Sequence, residues 1–365
     1  MEGFDANEWN ALAGPQPVLQ HAFLHALEAS GCVSARTGWQ PHHLGLWRNG
    51  RLAAAMPLYL KFHSYGEYVF DWRWAEAFER AGGNYYPKLL CAIPFTPITG
   101  PRVMGTSSGE RMHLIRHVLE FMEDKGLSSF HCLFPDENGN ATLAQSGLLL
   151  RQGHQFHWPN PGYSSFDNFL ATLSHDKRKK IRQERRKVHE AGIRFEIRSG
   201  ADIRESDWVF FYRCYVHTYH MHRSTPYLNL DFFLRLGESL PEHTMLVLGS
   251  RDGKPLCSAL NLYDTERLYG RYWGALEYVP GLHFETCYYQ GMEFCIDRKL
   301  QIFEGGAQGE HKLARGFMPV VTQSRHWLRD NDFRHVVSDF LLREGRAVEN
   351  YVNELEGPYR KDAAT

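Results

Sequence analysis

Between Leu268 and Val320 the chain carries ionisable residues at a density that a packed core does not need. Leu300-Gln301-Ile302-Phe303 reads as a short strand running into Glu304-Gly305-Gly306-Ala307-Gln308-Gly309-Glu310-His311-Lys312. Glycines let a backbone approach a ligand closely, and carboxylate, imidazole and ammonium groups beside them supply the parts of acid–base chemistry. Arg271, His283 and Glu285 add further ionisable groups just upstream. The plain alternative is a solvated, glycine-rich turn.

Other constellations exclude more than they propose. A phosphate-binding P-loop needs Gly and Lys adjacent and then Ser or Thr, whereas Glu310-His311 separates Gly309 from Lys312. His283-Phe284-Glu285 matches half of a zinc-deaminase signature, and the cysteine half is missing. His217, His220 and His222 offer a metal-hydrolase alternative, against which an aromatic-rich helix end competes, and His220–Tyr227 is a candidate substrate-contacting loop. From Lys177 to Lys187 the chain holds eight Lys or Arg and one Glu. That run is either a solvated helix face or a phosphate or RNA patch, with Lys177, Arg178, Lys180 and Arg182 as its candidates.

These residues need elements to hold them. The 365 residues suggest two domains, and 43% hydrophobic with 14% aromatic content suffices for sizeable cores. A net charge of −1 confines any polyanion binding to a local patch. Seven scattered cysteines without a C-x-x-C pair indicate reduced thiols. With no secretory signal in MEGFDANEWNALAG and no apolar run of membrane length, a cytoplasmic protein without integral membrane association is expected.

Pro17–Ser30, Trp74–Arg80, Arg111–Lys125, Ser165–Leu173, His175–Ala191, Trp208–His220, Leu230–Leu240 and Phe333–Leu355 read as helices. Two hairpins turn at Arg48-Asn49-Gly50 and Arg251-Asp252-Gly253, and an aromatic strand is expected after each, at Tyr68–Ala75 and Leu268–Ala275. The matched order suggests a duplicated α/β unit. Its boundary is expected at the breaker-rich Trp158–Gly162, giving domains 1–160 and 161–345, with 346–365 as helix end and tail.

HDKRKKIRQERRKVHEAGI, FFYRCYVHTYHMHRSTPYLN, LYGRYWGALEYVPGLHFETCYYQGMEFCI and FEGGAQGEHKLARGF resemble the FemAB-like predicted N-acyltransferases of the GNAT superfamily, labelled for peptidoglycan biosynthesis or recognition. EYVFDWRWAEAFERAGGNYYPKLLCAIPFTPITGPR matches the same group, so the resemblance covers almost the whole chain. It implies an α/β (α+β) fold of two tandem GNAT-like modules, mixed sheets flanked by helices, with the active site in the second. It also implies transfer of an acyl or aminoacyl group to an amine, on a small molecule or a cell-wall precursor. Acyl-CoA or aminoacyl-tRNA would be a co-substrate, with no permanently bound cofactor and no metal.

Within that reaction Glu310 or Glu304 would deprotonate the amine, and His311 is the second candidate or the acid for the leaving group. Lys312 and Arg315 would hold an anionic part of a substrate. Arg271, His283, Glu285, Tyr289 and Gln308 would help bind it. One departure stands out. The pyrophosphate loop of GNAT enzymes, Arg/Gln-x-x-Gly-x-Gly/Ala, is replaced by Glu277-Tyr278-Val279-Pro280-Gly281-Leu282. A non-catalytic module recognising RNA or a peptidoglycan precursor is the competing reading.

Overall fold

The computed structural model describes residues 1–307, 309–355 and 357–359. Its contacts form two compact units, Met1–His154 with Val321–Glu354, and Gln155–Val320 with Leu355 and residues 357–359. The first unit contains α1 (Ala6–Ala13), α2 (His21–Ala29), β1 (Trp39–Pro41), β2 (Leu44–Arg48), β3 (Arg51–Met56) and β4 (Leu58–Lys61). It continues with α3 (Trp72–Arg80), β5 (Lys88–Cys91), β6 (Met104–Gly105), α4 (Ser108–Lys125), β7 (Ser129–Leu133) and α5 (Glu137–Gln145).

Strand β8 (Leu149–Pro159) carries the chain into the second unit. There follow α6 (Phe166–Thr172), α7 (His175–Glu190), β9 (Ile193–Ser199), α8 (Glu205–Met221), α9 (Leu230–Ser239), β10 (Thr244–Arg251) and β11 (Lys254–Tyr263). After β12 (Arg267–Ala275) come α10 (Leu282–Phe284), a π-helical turn (Glu285–Tyr289), α11 (Gln290–Arg298) and β13 (Ile302–Glu304). Finally β14 (Met318–Leu328) returns to the first unit, which α12 (Asn331–Glu354) completes.

In the first unit the strand order is β1-β4-β5-β7-β14, with β5 and β7 parallel, and β2-β3-β6 form a separate small sheet. In the second it is β8-β13-β12-β11-β10-β9, antiparallel except for β12 with β13. Mixed sheets flanked by helices are the expected α/β class. Local chemistry explains the elements. Ser107 caps α4 by accepting from the Glu110 N–H, Leu114, Ile115, Val118 and Met122 form its buried stripe, and Gly126 ends it in the left-handed region. β11 is buried on both faces from Leu256 to Leu262, so apolar residues occupy both, with Ser258 and Asn261 as the buried polar exceptions.

Three expectations need correction. Tyr68–Ala75 is not a strand: a loop leads into α3 at Trp72, whose Trp74 and Ala75 are buried while Trp72 and Arg73 stay exposed. The first hairpin, moreover, pairs with β6 in the small sheet, whereas the second lies within the main sheet of its unit, so the two are not equivalent. Trp158-Pro159 does not break the chain either. Both lie in β8, where Pro159 is paired with Ile302 at the strand's last position. The expected division near 160 differs from the observed contacts in another respect: Val321–Glu354 packs with the first unit, because β14 pairs with β7 from Ser324↔Leu133 to Leu328↔Ser129.

Candidate functional site

Strands β12 and β13 run parallel for three positions only, Arg267↔Ile302, Leu268↔Phe303 and Tyr269↔Glu304. β13 then ends in Gly305-Gly306 while β12 continues to Ala275. At the same level the β11–β12 register jumps from Leu260↔Tyr272 to Asn261↔Gly270, so β12 holds one extra residue, Arg271, and bulges. A bulge re-aims side chain and backbone out of the ladder, and such bulges gather at active sites. Asn261, Gly270, Arg271, Tyr272, Trp273, His283, Cys287, Tyr288 and Gly305 line a cleft of about 80 Å³ where the strands part. That space suits a small acyl group and little more. The π-helical turn supplies Cys287 and Tyr288, an irregularity frequent at functional sites.

Glu304 closes β13 beside this cleft and is buried. Its Oε1 accepts from Arg267 Nη1 at 2.9 Å, while Oε2 lies 3.8 Å from His157 Nε2 and is buried without a hydrogen-bond partner. Burial pushes the carboxyl up to about 7, although Arg267 pulls the other way. His157 is pushed down to about 4, chiefly by its own burial, and is therefore neutral at pH 7. Lys312 is also buried, its Nζ donating to the carbonyl of Gly306 at 2.9 Å. Burial lowers its ammonium to about 8. A Cβ on Gly305 would meet Lys312 Cε at 3.3 Å and the Phe317 ring at 2.7 Å, so the loop needs glycine for the lysine to pass.

The remaining candidates divide sharply. His283 packs on Trp273 with ring centroids 4.6 Å apart, and burial followed by His311, Lys312 and Arg315 lowers it to about 4. Tyr288 Oη lies 2.9 Å from His311 Nε2, and burial plus the same two cations lower His311. Arg271 donates to Tyr272 Oη at 3.0 Å. Glu310, the other candidate base, is exposed, because its 3₁₀ turn (Glu310–Arg315) turns Lys312 and Arg315 inward instead. Gln308 lies outside the described residues.

Arg315, Tyr289 and Glu285 belong to a polar network with α7. Arg315 pairs with Glu184 at 2.6 Å and covers the Phe284 ring at 3.3 Å, and Tyr289 donates to the same carboxylate. Arg185 pairs with Glu285 and with Glu293, each at 2.9 Å, and Gln290 donates to Glu285 at 2.8 Å. These three are thus structural partners rather than groups that face the cleft. Lys177 and Arg178 are half-buried and Lys180 and Arg182 exposed, Arg182 pairing with Asp167 at 3.1 Å. His175, Arg178, Lys179, Arg182, Gln183 and Arg186 line a shallow groove of about 510 Å³ on the helix. Among the described residues no group of three His, Cys, Asp or Glu could hold a metal ion, His217, His220 and His222 included.

Sequence reasoning missed a second polar cluster, in the first unit. Lys61 and Lys88 face each other across β4 and β5, both fully buried. Lys88 donates to Asp71 at 2.6 Å, to Glu67 at 2.8 Å and to Ser64 at 2.7 Å. Asp71 accepts from Tyr85 at 2.7 Å, and His131 Nδ1 lies 2.7 Å from His326 Nδ1. Burial raises Glu67 to about 7 and lowers Lys61 to about 7. For Asp71, burial is outweighed by Lys88, which holds the carboxyl well below its usual range. The six ionisable residues come from β4, the following loop, β5, β7 and β14, so no short motif announces them.

Parted parallel strands, a bulge beside them and a buried carboxyl at the fork define an α/β protein with a small cleft inside one of its sheets. The chain belongs to the FemAB-like family, described as peptidoglycan biosynthesis/recognition, whose family model matches residues 1–361. No curated protein sequence matches it significantly. Its fold is similar to that of FemX, at 11% identity and a TM-score of 0.57 over 92% of this chain and 98% of that one. It is also similar to L-PGS from Bacillus licheniformis, at 12% identity and a TM-score of 0.52 over 90% and 97%. No helix of the described residues is long and apolar enough to cross a membrane.

Proposed function

We propose that this protein is an N-acyltransferase that moves an acyl or aminoacyl group onto an amine, with Glu304 as the base. The observation that carries the reading is Glu304 itself, a buried carboxyl raised to about 7 at the end of β13, where the strands part. Amine attack forms a C–N bond and breaks the donor's ester or thioester bond. The amine's proton passes to Glu304, directly or through water, and from there to the leaving oxygen or sulfur. Much of the rate comes from proximity, since the cleft confines the carbonyl. Lys312, whose side chain packs beside Gly305, is the cation for charge on the carbonyl oxygen or an adjoining anion in this reading.

Aminoacyl-tRNA is favoured over acyl-CoA as donor. The loop that would carry a pyrophosphate has a single glycine, Gly281, and that residue packs on α7: a Cβ there would meet the Glu184 carbonyl oxygen at 3.4 Å. Phosphates therefore have their best partners on the basic face of α7, with Lys180 and Arg182 exposed and Lys177 and Arg178 half-buried. The family description makes an amine of a peptidoglycan precursor the leading acceptor.

The test combines charged tRNA or acyl-CoA with muropeptide amines and reads product masses. Transfer from charged tRNA, lost by orders of magnitude in Glu304→Gln with donor binding retained, is the expected result. Transfer that Glu304→Gln leaves intact removes Glu304 from the mechanism. Donor or precursor binding without any transfer makes the protein a recognition module.

A further inference from the structure

Of the two polar residues buried in β11, Asn261 lines the cleft. It stands directly across from Met245 on β10, and its Nδ2 donates to Met245 Sδ at 3.3 Å. A thioether sulfur can only accept, which fixes the orientation of the amide and turns Oδ1 the other way. Among the described residues nothing donates to that oxygen. A buried amide oxygen in an apolar strand is costly unless a donor meets it.

Opposite Asn261 the next strand has glycine. A Cβ on Gly270 would stand 3.6 Å from Asn261 Oδ1, 3.4 Å from the Glu304 carbonyl oxygen and 3.3 Å from the Phe303 ring. The space left by the missing side chain is therefore bordered by two acceptor oxygens and an aromatic ring. Phe303 and Glu304 are consecutive in β13 and point to opposite faces of the sheet. Phe303 packs on Phe317 with centroids 5.5 Å apart, whereas the Glu304 carboxyl meets Arg267. Asn261 Oδ1 lies on the Phe303 face. It is thus across the parted strands from the Glu304 carboxyl, and it faces the acyl group in the cleft rather than the amine that Glu304 deprotonates. An acyl carbonyl is itself an acceptor and gains nothing from two oxygens. An amino group on the neighbouring carbon brings at least two N–H donors, protonated or not, where a hydroxyl brings one.

We propose, resting on the acyl-transfer reading, that Asn261 Oδ1 selects donors whose acyl group carries an α-amino group, so that the cleft takes a small aminoacyl group over a plain acyl group of the same size. Alanyl and propionyl differ at that position alone. Each is loaded on one tRNA and, separately, on coenzyme A, and transfer to muropeptide amines is followed by mass. On whichever carrier it uses, the wild type should prefer alanyl at least about tenfold in kcat/KM, after division by the uncatalysed rates, as a hydrogen bond to a buried acceptor implies. Asn261→Leu, close in size, should bring that ratio near one by slowing alanyl transfer. Asn261→Asp, which keeps an acceptor oxygen, should restore part of the preference, and circular dichroism checks that both variants fold. Equal handling of the two groups by the wild type overturns the proposal without recourse to any variant. So does an Asn261→Leu protein that keeps the preference or slows both groups equally, the latter making Asn261 a packing residue. Transfer from neither carrier overturns the acyl-transfer reading and this proposal with it, whereas a missing preference in a protein that does transfer overturns this proposal alone.

Discussion

At the scale of single residues, what distinguishes Glu304 is that its charge is expensive where it stands. Burial raises it to about 7 from an ordinary 4.5, and Arg267 offsets only part of that cost. A base of this kind acts only when deprotonated, so transfer should rise with pH through about 7, and Glu304→Gln should remove that limb along with most of the rate. Stability moves the other way. A carboxyl whose folded value is raised contributes stability fully present below its unfolded value, lost as pH rises through the folded one. Urea denaturation of wild type and Glu304→Gln at about pH 5 and pH 8 checks this: the wild type should lose ground to the variant at the higher pH. Lys312 titrates at about 8, so Lys312→Met should cut turnover where the ammonium form dominates, below that pH, and Lys312→Arg should restore part of it. A pH-independent loss in Lys312→Met would make the residue a packing element.

At the scale of elements, α7 joins the chemistry to the donor. Ile181 and Val188 are buried, Glu184 and Arg185 reach the π-helical turn and the 3₁₀ turn, and the rest of the helix presents base to solvent. Reversing Lys177, Lys180 and Arg182 to Glu should weaken tRNA binding and flatten its salt dependence, while thermal unfolding stays near wild type. Binding unchanged by the reversal would place the donor elsewhere. The basic run, both hairpins, the amphipathic helices and the glycine-rich loop were legible because each is a local pattern. Strand β14 was not: it buries Thr322, Ser324 and His326 before its last residue, Leu328, so its inward face is largely polar and the usual alternation signal is inverted. Arg185 and Glu184 were hidden for a related reason, since charge within a basic run gives no hint of which members turn inward. Exposure of Glu310 and burial of Glu304 depend on where a strand ends, which sequence locates only to within a few residues.

At the scale of the whole molecule, the first unit is discontinuous in sequence, and that has a consequence for folding. Within it β7 is an inner strand, paired with β5 on one side and β14 on the other, and His131 on β7 meets His326 on β14. Helix α12 adds Val337 and Leu341 to a core with Trp74, Tyr85 and Leu328. A chain ending at Val320 would therefore expose an edge of β7, strand His131 without its buried partner and uncover Trp74 and Tyr85. The loss is large against the few kcal/mol by which domains are stable. Hydrogen exchange on a Met1–Val320 fragment should show the amides of β5 and β7 exchanging at least about a hundredfold faster than in the full chain, while those of β10, β11 and β12 keep most of their protection. The Lys88–Glu67–Asp71 cluster should fail with them, since Asp71 is linked through Tyr85 to His131. Retained protection in β7 would mean that Met1–His154 folds without its distant strand, and β14 would then be an addition to a finished sheet rather than part of its core.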